Sequence, residues 1–417
     1  MSTSPGNTDG SDPRIYKVAI VAPTCFYYQV PLFRALAAHA RIELMVYFCS
    51  DEALRGTDVP AKYQSKGDWG IEEDLLEGYA HKFLRNYSPI PSYLRVGVGL
   101  INFGIWREIR NSKPDAVVLM SWMNPTWWLA ALACWYSKIP LLFLTDQNVQ
   151  RDLAGLRPKI WAKRLVLGRF LFPASAGFLC AGTSNRQFYR YHGVPENKMV
   201  PFAFSWGYGS LIQGSGGLNA HKKQARAQLG IDENKSVILF CGRLSEEKNA
   251  LLLLQAYEKI DSSNSALIFV GDGKLKPALE DYAANHKLDS VRFLGFQNRR
   301  NISRYYSVAD FLILPSRRET WGIVVNEALC FGLPVITSDQ VGASQDLVVH
   351  GYNGFQFPSG DAAALAGYIE QLVGLSQEER SAMGDRSRDI IRKWSQRDLG
   401  ESITHYLDLI CDGNTAA

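Results

Sequence analysis

The chain has 417 residues, of which 47% are apolar and 21% are charged, and its formal net charge at pH 7 is +4. The composition is that of an ordinary globular protein, and the small positive charge gives no argument for nucleic acid as a partner. Because this length exceeds what one ordinary hydrophobic core holds, we predict two domains.

The N-terminus and the cysteines indicate the compartment. Residues 1–13 are rich in Ser, Gly, Asp and Asn, without the charged start and apolar stretch of a signal peptide, so we expect a disordered lead-in. The 7 cysteines are scattered and show no Cys-x-x-Cys spacing. We therefore predict reduced core thiols in a cytoplasmic protein, and no zinc site.

Strand and helix patterns alternate through residues 14–205, which we assign to a first domain. The β-branched run Tyr16–Val21 predicts a strand, and Pro31 begins a helical pattern. Further short apolar runs, each predicted to be a strand, are Arg41–Phe48, Asp115–Met120, Pro140–Leu144 and Gly177–Ala181. Strands that alternate with helices predict a parallel sheet covered on both faces.

The longest apolar stretch runs from Trp122 to Leu144 and is interrupted by Pro125, Lys138 and Pro140. A membrane-spanning helix needs about 20 apolar residues without such breaks. We therefore interpret this stretch as a buried helix followed by a buried strand.

A basic run follows, with apolar residues interleaved. Its members are Arg151, Arg157, Lys159, Lys163, Arg164, Arg169, Arg186 and Arg190. One interpretation is a face that rests on anionic lipid at the inner side of the membrane or receives an anionic acceptor. The other, which we favour, is a core helix with solvated basic edges.

Residues 206–234 are predicted to be a linker, because Trp206–Leu218 is glycine-rich and lacks periodicity. A second series of elements then fills residues 235–393. Its predicted strands are Val237–Cys241, Ala266–Val270, Val291–Leu294, Asp310–Leu314 and Pro334–Thr337, and its clearest helices are Ala250–Ile260 and Lys276–His286. The fold class is therefore α/β, with two Rossmann-like domains facing a cleft and ligands at the carboxyl ends of the strands.

Two loops of the second domain carry residues suited to a phosphate. Gly242 and Arg243 follow a strand directly, and Lys248 lies five residues beyond Arg243. The guanidinium can fork onto phosphate oxygens, and the ammonium adds a point charge. In the next loop, Gly271-Asp272-Gly273, two glycines permit positive φ and a close backbone approach. Solvated surface charges and a plain tight turn are the alternatives.

The stretch from Phe311 to Ser338 carries most of the functional signal. Glu319 is expected in the cleft loop, and Glu327 about a turn and a half into the following helix. The backbone N–H groups of Trp321, Gly322 and Ile323 would sit at the helix N-terminus, which suits phosphate. Paired carboxylates beside a phosphate site suit hydroxyl groups, since a carboxylate accepts two hydrogen bonds from a vicinal diol.

The order of these motifs resembles that of retaining glycosyltransferases of the GT-B fold, group-one family four. The matching pattern is Gly242-Arg243-…-Lys248, Gly271-Asp272-Gly273, Phe293-Leu294-Gly295, Pro315-Ser316-…-Glu319-x-x-Gly322-x4-Glu327-Ala328-…-Gly332-x-Pro334, continued by Gly351, Gly354, Gly360 and Asp361. The resemblance covers residues 235–395 in motif detail. Three positions depart from the family: residues 23–28 replace its glycine-rich first loop, Asp146 stands in a Thr-Asp-Gln-Asn segment where many members have His, and Asp346 replaces a common Glu.

The resemblance implies a reaction and a set of roles. It implies transfer of a sugar, most simply a hexose, from a nucleotide-diphosphate donor to a hydroxyl acceptor on a glycolipid, polysaccharide precursor or small metabolite, with retained anomeric configuration. The predicted catalytic residues are Arg243 and Lys248 at the departing diphosphate and Glu319 at the transferred sugar, while Glu327 holds the ribose. The chain has no Asp-x-Asp signature, so we predict no metal and no cofactor besides the nucleotide-sugar co-substrate.

The first domain is expected to bind the acceptor, and residues 394–417 to form a helix that crosses back to it. Asp146, Tyr27 and Trp122 are candidate acceptor residues. A turn or helix-capping role is the stronger interpretation of Asp146, and core packing is at least as good an explanation of the aromatic residues.

Other classes of protein were weighed against this one. A nicotinamide-dependent oxidoreductase would need a Gly-x-Gly-x-x-Gly turn after the first strand, but no glycine occurs between Val21 and Gly56. A non-catalytic nucleotide-sugar-binding homologue stays open, as does a nucleotide-sugar epimerase or hydrolase of the same shape.

Overall fold

A computed structural model describes residues 13–55, 75–149, 157–203, 222–395 and 399–411. Within these ranges the chain forms two parallel β-sheets with helices between successive strands. The predicted α/β class is therefore confirmed. The predicted lead-in (except Pro13), the glycine-rich part of the linker and Arg151 lie outside the described residues.

The first sheet has seven strands in the order β3-β2-β1-β4-β5-β6-β7. They are β1 (Tyr16–Ala22), β2 (Ile42–Phe48), β3 (Ala80–Phe83), β4 (Ala116–Leu119), β5 (Leu141–Thr145), β6 (Gly177–Cys180) and β7 (Met199–Pro201). The helices of this half are α1 (Val30–Ala38), α2 (Glu52–Arg55), α3 (Gly104–Ser112), α4 (Pro125–Ser137), α5 (Arg157–Val166), which continues as a π-helical turn over Leu167–Leu171, and α6 (Thr183–Tyr191).

The second sheet has six strands in the order β10-β9-β8-β11-β12-β13. They are β8 (Ser236–Cys241), β9 (Ser265–Val270), β10 (Val291–Phe293), β11 (Phe311–Leu314), β12 (Val335–Ser338) and β13 (Gly354–Phe357). The helices are α7 (Lys222–Gln228), α8 (Ala250–Tyr257), α9 (Lys276–Asn285), α10 (Arg299–Val308), α11 (Ile323–Cys330), α12 (Ser344–Leu347), α13 (Ala362–Gly374), α14 (Gln377–Ser395) and α15 (Leu399–Cys411).

Both faces of the central strands are buried, which is why they read as unbroken apolar runs. In β1, Val18 and Ile20 contribute to one core cluster, while Ala19 and Val21 contribute to another. Parallel strands with helices on both faces have this property. The strands that the sequence did not predict, β3, β7 and β13, all lie at sheet edges, where one neighbour is missing and the apolar signal is weaker.

The apolar stretch that begins at Trp122 forms α4 and β5, as predicted. Across the described ranges, we find no helix with the length and apolar character needed to cross a bilayer. All 7 cysteines carry thiols, and they are buried except Cys411, which is exposed and so corrects the expectation of core positions.

Helix α7 lies within the predicted linker, residues 206–234, but is bound to the second domain. The Arg226 guanidinium donates to Asp310 Oδ2 at 2.6 Å, and Lys222 Nζ lies 2.9 Å from Asp310 Oδ1. The Val237 N–H also donates to Asp310, at 2.7 Å. Burial by itself would raise the pKa of Asp310, but the charges of Lys222 and Arg226 outweigh it and lower that pKa.

The last helix lies against the first domain. The Tyr406 hydroxyl donates to the Ala176 carbonyl at 2.6 Å, and Asp408 accepts from Tyr16 at 2.6 Å and from Arg41 at 2.6 and 3.0 Å. The predicted terminal helix began at Trp394, which is wrong, because that residue belongs to the last turn of α14. The apolar side chains expected on one side of the terminal segment are carried by α15.

Candidate functional site

Two loops meet at the carboxyl ends of β8 and β9, and glycines allow them to do so. Gly242 and Gly271 have φ of +152° and +142°, and a Cβ on Gly271 would lie 1.9 Å from the Gly242 carbonyl oxygen. A Cβ on Gly273 would lie 2.3 Å from the Leu244 carbonyl oxygen. Close packing of one loop on the other therefore explains the predicted donor-binding glycines Gly271 and Gly273, whereas a Cβ on Gly242 would meet no atom within 4 Å.

The predicted catalytic residues Lys248 and Glu319 form an ion pair in which Lys248 Nζ contacts Glu319 Oε2. Both side chains are partly buried. The two loops that carry them are joined by the Arg317 N–H, which donates to the Glu247 carbonyl at 2.8 Å. Arg243 lies in the same loop as Lys248, but its side chain is exposed and makes no ion pair within the described part of the chain.

The backbone of Glu319 is fixed by the loop that follows β12. The Glu319 N–H donates to the Gln340 carbonyl, and the Gly342 N–H donates to the Glu319 carbonyl, both at 3.2 Å. A Cβ on Gly342 would lie 2.0 Å from the Thr320 carbonyl oxygen, so this approach also requires glycine. The carboxylate is therefore presented from a backbone that is held on both sides.

Helix α11 begins next to this carboxylate. Gly322, at φ +99°, precedes Ile323, the first helical residue. The buried Trp321 indole donates to Asn326 Oδ1 at 2.8 Å and stacks on Trp394 of α14, with 5.5 Å between the ring centroids. The segment that leads into this helix is therefore anchored to α14 through Trp321.

Glu327 lies on α11 and is held from another helix. The Tyr306 hydroxyl of α10 donates to Glu327 Oε2 at 2.6 Å, and the Tyr306 ring stacks on Phe331. Burial raises the pKa of Tyr306, and it raises the pKa of the neighbouring Cys241 thiol to about 12. Tyr306 therefore stays a neutral hydrogen-bond donor to this carboxylate at physiological pH.

The first domain contacts the Glu319 loop directly. Asn148 Nδ2 donates to the Glu319 carbonyl at 3.0 Å, and the Thr320 hydroxyl lies 3.4 Å from Asp146 Oδ2. The Thr-Asp-Gln-Asn segment therefore lies beside the predicted catalytic carboxylate.

A second contact between the domains involves Asp346. Its Oδ2 accepts from the Thr183 N–H at 2.8 Å, and its Oδ1 from the Thr183 hydroxyl at 2.7 Å. Thr183 is the first residue of α6, so the carboxylate is placed favourably at a helix N-terminus. Gly182, at φ +118°, permits this approach, because a Cβ there would lie 2.6 Å from the Trp321 ring.

A cavity of about 190 Å³, which we call the cleft cavity, opens at the carboxyl ends of β1, β4 and β5. Aromatic, aliphatic and polar residues all line it: Pro23, Phe26, Tyr28, Gln29, Tyr93, Met120, Ser121, Trp122, Met123, Asn124, Trp127, Leu144, Thr145, Asp146 and Gln147. Of the predicted acceptor residues, Trp122 and Asp146 line it, whereas Tyr27 does not and packs edge-on against Tyr28 at 5.6 Å.

The residues of the basic run lie in two different environments, one formed by ion pairs and one around α5. Arg186 and Arg190 pair with Glu196, and Lys163 Nζ lies 5.3 Å from the centre of the Trp122 ring. Around α5, Leu167 and Leu171 are buried, but Trp161 is 67% exposed and Phe170 is 64% exposed. The favoured interpretation of a core helix therefore holds for one face only, because the other presents large apolar side chains to water.

Sequence reasoning did not identify Tyr306, Asn326 or Asn148 as part of the site. Tyr306 and Asn326 act from helices whose positions depend on tertiary packing, so no local motif marks them. Asn148 lies in the Thr-Asp-Gln-Asn segment, and the departure of this segment from the family pattern is the only sequence feature that could have drawn attention to it.

The model of the family described as "Glycosyl transferases group 1" matches residues 221–390. The N-acetyl-alpha-D-glucosaminyl L-malate synthase of Bacillus anthracis is 28% identical over 45% of this chain and 50% of its own length. A Campylobacter jejuni alpha-1,4-N-acetyl-D-galactosaminyltransferase, whose name specifies a diphospho-undecaprenol-linked saccharide, is 26% identical over 65% of this chain and 68% of its own length.

Among solved structures, Anabaena HepE in complex with UDP is similar, with a TM-score of 0.68 and 16% identity over 96% of this chain and 100% of HepE. HepE has also been solved with UDP-glucose. At this identity the likeness shows the fold, which is GT-B as the sequence predicted. The chain spans about half the length of the first two curated relatives, 44% and 50% respectively.

Proposed function

Because the second domain of this chain belongs to the group 1 glycosyl transferases, we propose that the protein moves a sugar from a nucleoside-diphosphate donor to a hydroxyl acceptor with retained anomeric configuration. The observation that carries the proposal is the Lys248–Glu319 ion pair, formed by two motif residues where the two domains meet. The donor would lie along the second domain and the acceptor in the cleft cavity.

We assign the residues that bind the nucleoside-diphosphate donor from the charge that develops in the reaction. Departure of a nucleoside diphosphate leaves negative charge on its phosphates, and fixed cations and helix N-terminal N–H groups stabilise such charge. Lys248, Arg243 and the start of α11 supply these. Glu327 would bind the ribose diol, with Tyr306 holding its carboxylate in position.

Glu319 would bind the transferred sugar. Its carboxylate engages Lys248, so each of the two groups orients the other. Binding then replaces part of this ion pair with sugar hydroxyls on one side and phosphate oxygens on the other, which needs little reorganisation.

In the reaction the bond between the anomeric carbon and the departing phosphate oxygen breaks, and a bond forms from the acceptor oxygen on the same face of the sugar. The acceptor proton passes to the leaving phosphate oxygen. This route needs neither a carboxylate on the opposite face nor a metal ion, because the leaving group serves as base and the Lys248 and Arg243 side chains supply positive charge.

To test the proposal, the protein is mixed with each member of a panel of nucleoside-diphosphate sugars, with and without EDTA. Thermal shift measures binding of the donor, and release of nucleoside diphosphate measures its turnover. We expect one donor class to raise the melting temperature and to be turned over, with EDTA changing the rate less than twofold. Glu327→Gln should weaken donor binding, whereas Glu246→Gln, an exposed carboxylate on the same domain, should not.

Each alternative has its own outcome in this assay. No donor binding, or a rate abolished by EDTA and restored by Mg²⁺, would contradict the proposal or its metal independence. Binding without turnover would indicate a non-catalytic homologue. Release of the nucleoside diphosphate at a rate that no acceptor changes would indicate a hydrolase.

We further propose that α5 and the π-helical turn that continues it rest on an anionic lipid surface through their exposed side chains Trp161 and Phe170. Arg164 and Arg169 are exposed along the same segment, and aromatic residues beside basic ones suit a lipid headgroup region. The protein should cosediment with phosphatidylglycerol vesicles and much less with phosphatidylcholine vesicles. Trp161→Glu should reduce binding, and Leu251→Glu in the second domain should not; equal binding by both variants would refute this contact.

A further inference from the structure

An apolar groove on the first domain lies beside the cleft cavity. This groove has a volume of about 360 Å³ and is formed mainly by Pro125, Trp128, Leu129 and Leu132 at the start and along one side of α4. Met123 and Asn124 line both the groove and the cleft cavity, so the two spaces are neighbours on the first domain.

The edge of the groove is apolar and exposed to water. The Gly97 N–H donates to the Met123 carbonyl at 2.8 Å, which holds the segment around Gly97 against the groove. In this segment Val96, next to Gly97, is 63% exposed, and Leu132, which lines the groove, is 46% exposed. Apolar side chains gathered beside an open groove indicate a surface that binds something apolar.

The cleft cavity differs from the groove in the chemistry of its lining and in its position. Its walls carry polar groups that include Gln29, whose buried Oε1 has no hydrogen-bond partner in the described part of the chain. It is bounded by Asp146, which is 3.4 Å from the Thr320 hydroxyl next to Glu319. Hydroxyl groups placed here would therefore be near the reacting centre, and a chain attached to them would leave through the groove.

We propose that the acceptor is an amphiphile, a sugar that carries an alkyl or polyprenyl chain, with its sugar in the cleft cavity and the first part of its chain in the groove. This inference rests on the proposed function and deepens it by naming the acceptor class. A purely polar acceptor would leave the groove with no role, since water gains nothing from apolar walls.

The probe is n-octyl β-D-glucoside, compared with methyl β-D-glucoside, both below the micelle concentration and titrated by calorimetry. The sugar is the same in both, so a difference reports on the chain. We expect at least about tenfold tighter binding of the octyl compound, a gain that burial of two methylene groups would supply. Equal binding of the two glucosides would overturn the proposal.

Matched variants place the chain in the groove. Leu129→Asp and Leu132→Asp put a charge on the groove lining and should remove most of the octyl advantage, while Val349→Asp, 51% exposed on the second domain, should keep it. Two groove variants are used so that poor folding of one does not decide the result. An advantage that survives in both well-folded groove variants would mean nonspecific detergent binding and would refute the groove.

The test separates this inference from the proposed function. Binding of the glucosides requires no donor turnover, and the donor panel requires no groove. If a donor is turned over but chain length has no effect on binding, the acceptor class is wrong and the transferase proposal stands. If chain length matters but no donor is bound, the transferase proposal fails instead.

Discussion

Replacing Lys248 with alanine should lower kcat about 10²–10³-fold, because a preorganised cation at the departing diphosphate is lost. The Lys248 ammonium contacts Glu319, so its removal also leaves that partly buried carboxylate without its ion-pair partner. Both effects raise the free energy of the transition state more than that of the complex with bound donor. Single-turnover rates at saturating donor measure the loss.

The control for Lys248→Ala is Lys274→Ala. Lys274 belongs to the same domain and also forms an ion pair, with Glu246 at 2.9 Å, but both side chains are largely exposed. This control should keep its rate and its melting temperature. Near-normal turnover by Lys248→Ala would show that the leaving group does not depend on this cation.

Replacing Asp310 with asparagine should lower the free energy of unfolding of the second domain by about 3–5 kcal/mol, because it removes one partner of a buried charge cluster. Asp310 accepts from Arg226 and from the Val237 N–H and pairs with Lys222. In the variant, the Arg226 guanidinium stays buried without a counter-charge. Denaturant unfolding measures this loss of free energy, and the melting temperature provides a second measurement.

Asp385→Asn is the matched control, since Asp385 forms an exposed pair with Arg388 three residues later on α14. Exposed pairs of this kind contribute little to stability, so its unfolding curve should superpose on that of the original chain. Loss of stability equal to that of Asp310→Asn would mean that the cluster around α7 has no special importance.

The effect of Asp310→Asn should depend on pH in a defined direction. The folded protein holds the pKa of Asp310 below its ordinary value, so this group stabilises the fold fully above the unfolded pKa of about 3.9. As the pH falls through the lowered folded pKa, the aspartate becomes protonated and its contribution is lost. The difference between the two proteins should therefore be constant near neutral pH and shrink below about pH 4.

The sequence predicts the interior of both sheets well because burial there leaves a continuous apolar signal. Val237–Cys241 and Ala266–Val270 were predicted within one residue of β8 and β9. Edge strands are predicted less well: β10 matches the predicted strand Val291–Leu294, but β3 is Ala-His-Lys-Phe, and no part of it is a run of buried apolar residues. The start of the terminal helix was misplaced at Trp394, which lies in the last turn of α14, whereas the apolar residues of the predicted helix lie on α15.

The donor loops of the second domain are predictable because their motifs are local. The contacts between domains are not, because they depend on how two separately folded surfaces meet. Asp346 was recognised only as a departure from the usual Glu, and its partner Thr183 lies 163 residues away. Tyr306 illustrates the same limit within one domain, since its hydrogen bond to Glu327 follows from the packing of α10 on α11.

The position of α15 affects the order in which the protein is completed on the ribosome. Arg41 emerges early, but its partner Asp408 is 367 residues later in the chain. At about 5–20 residues per second, roughly 20–70 s of translation separate the two. During that interval the nascent first domain exposes the Tyr16 hydroxyl and the strip of surface that α15 later covers. Synthesis of α15, and not synthesis of the first domain, therefore sets the earliest time at which that surface closes.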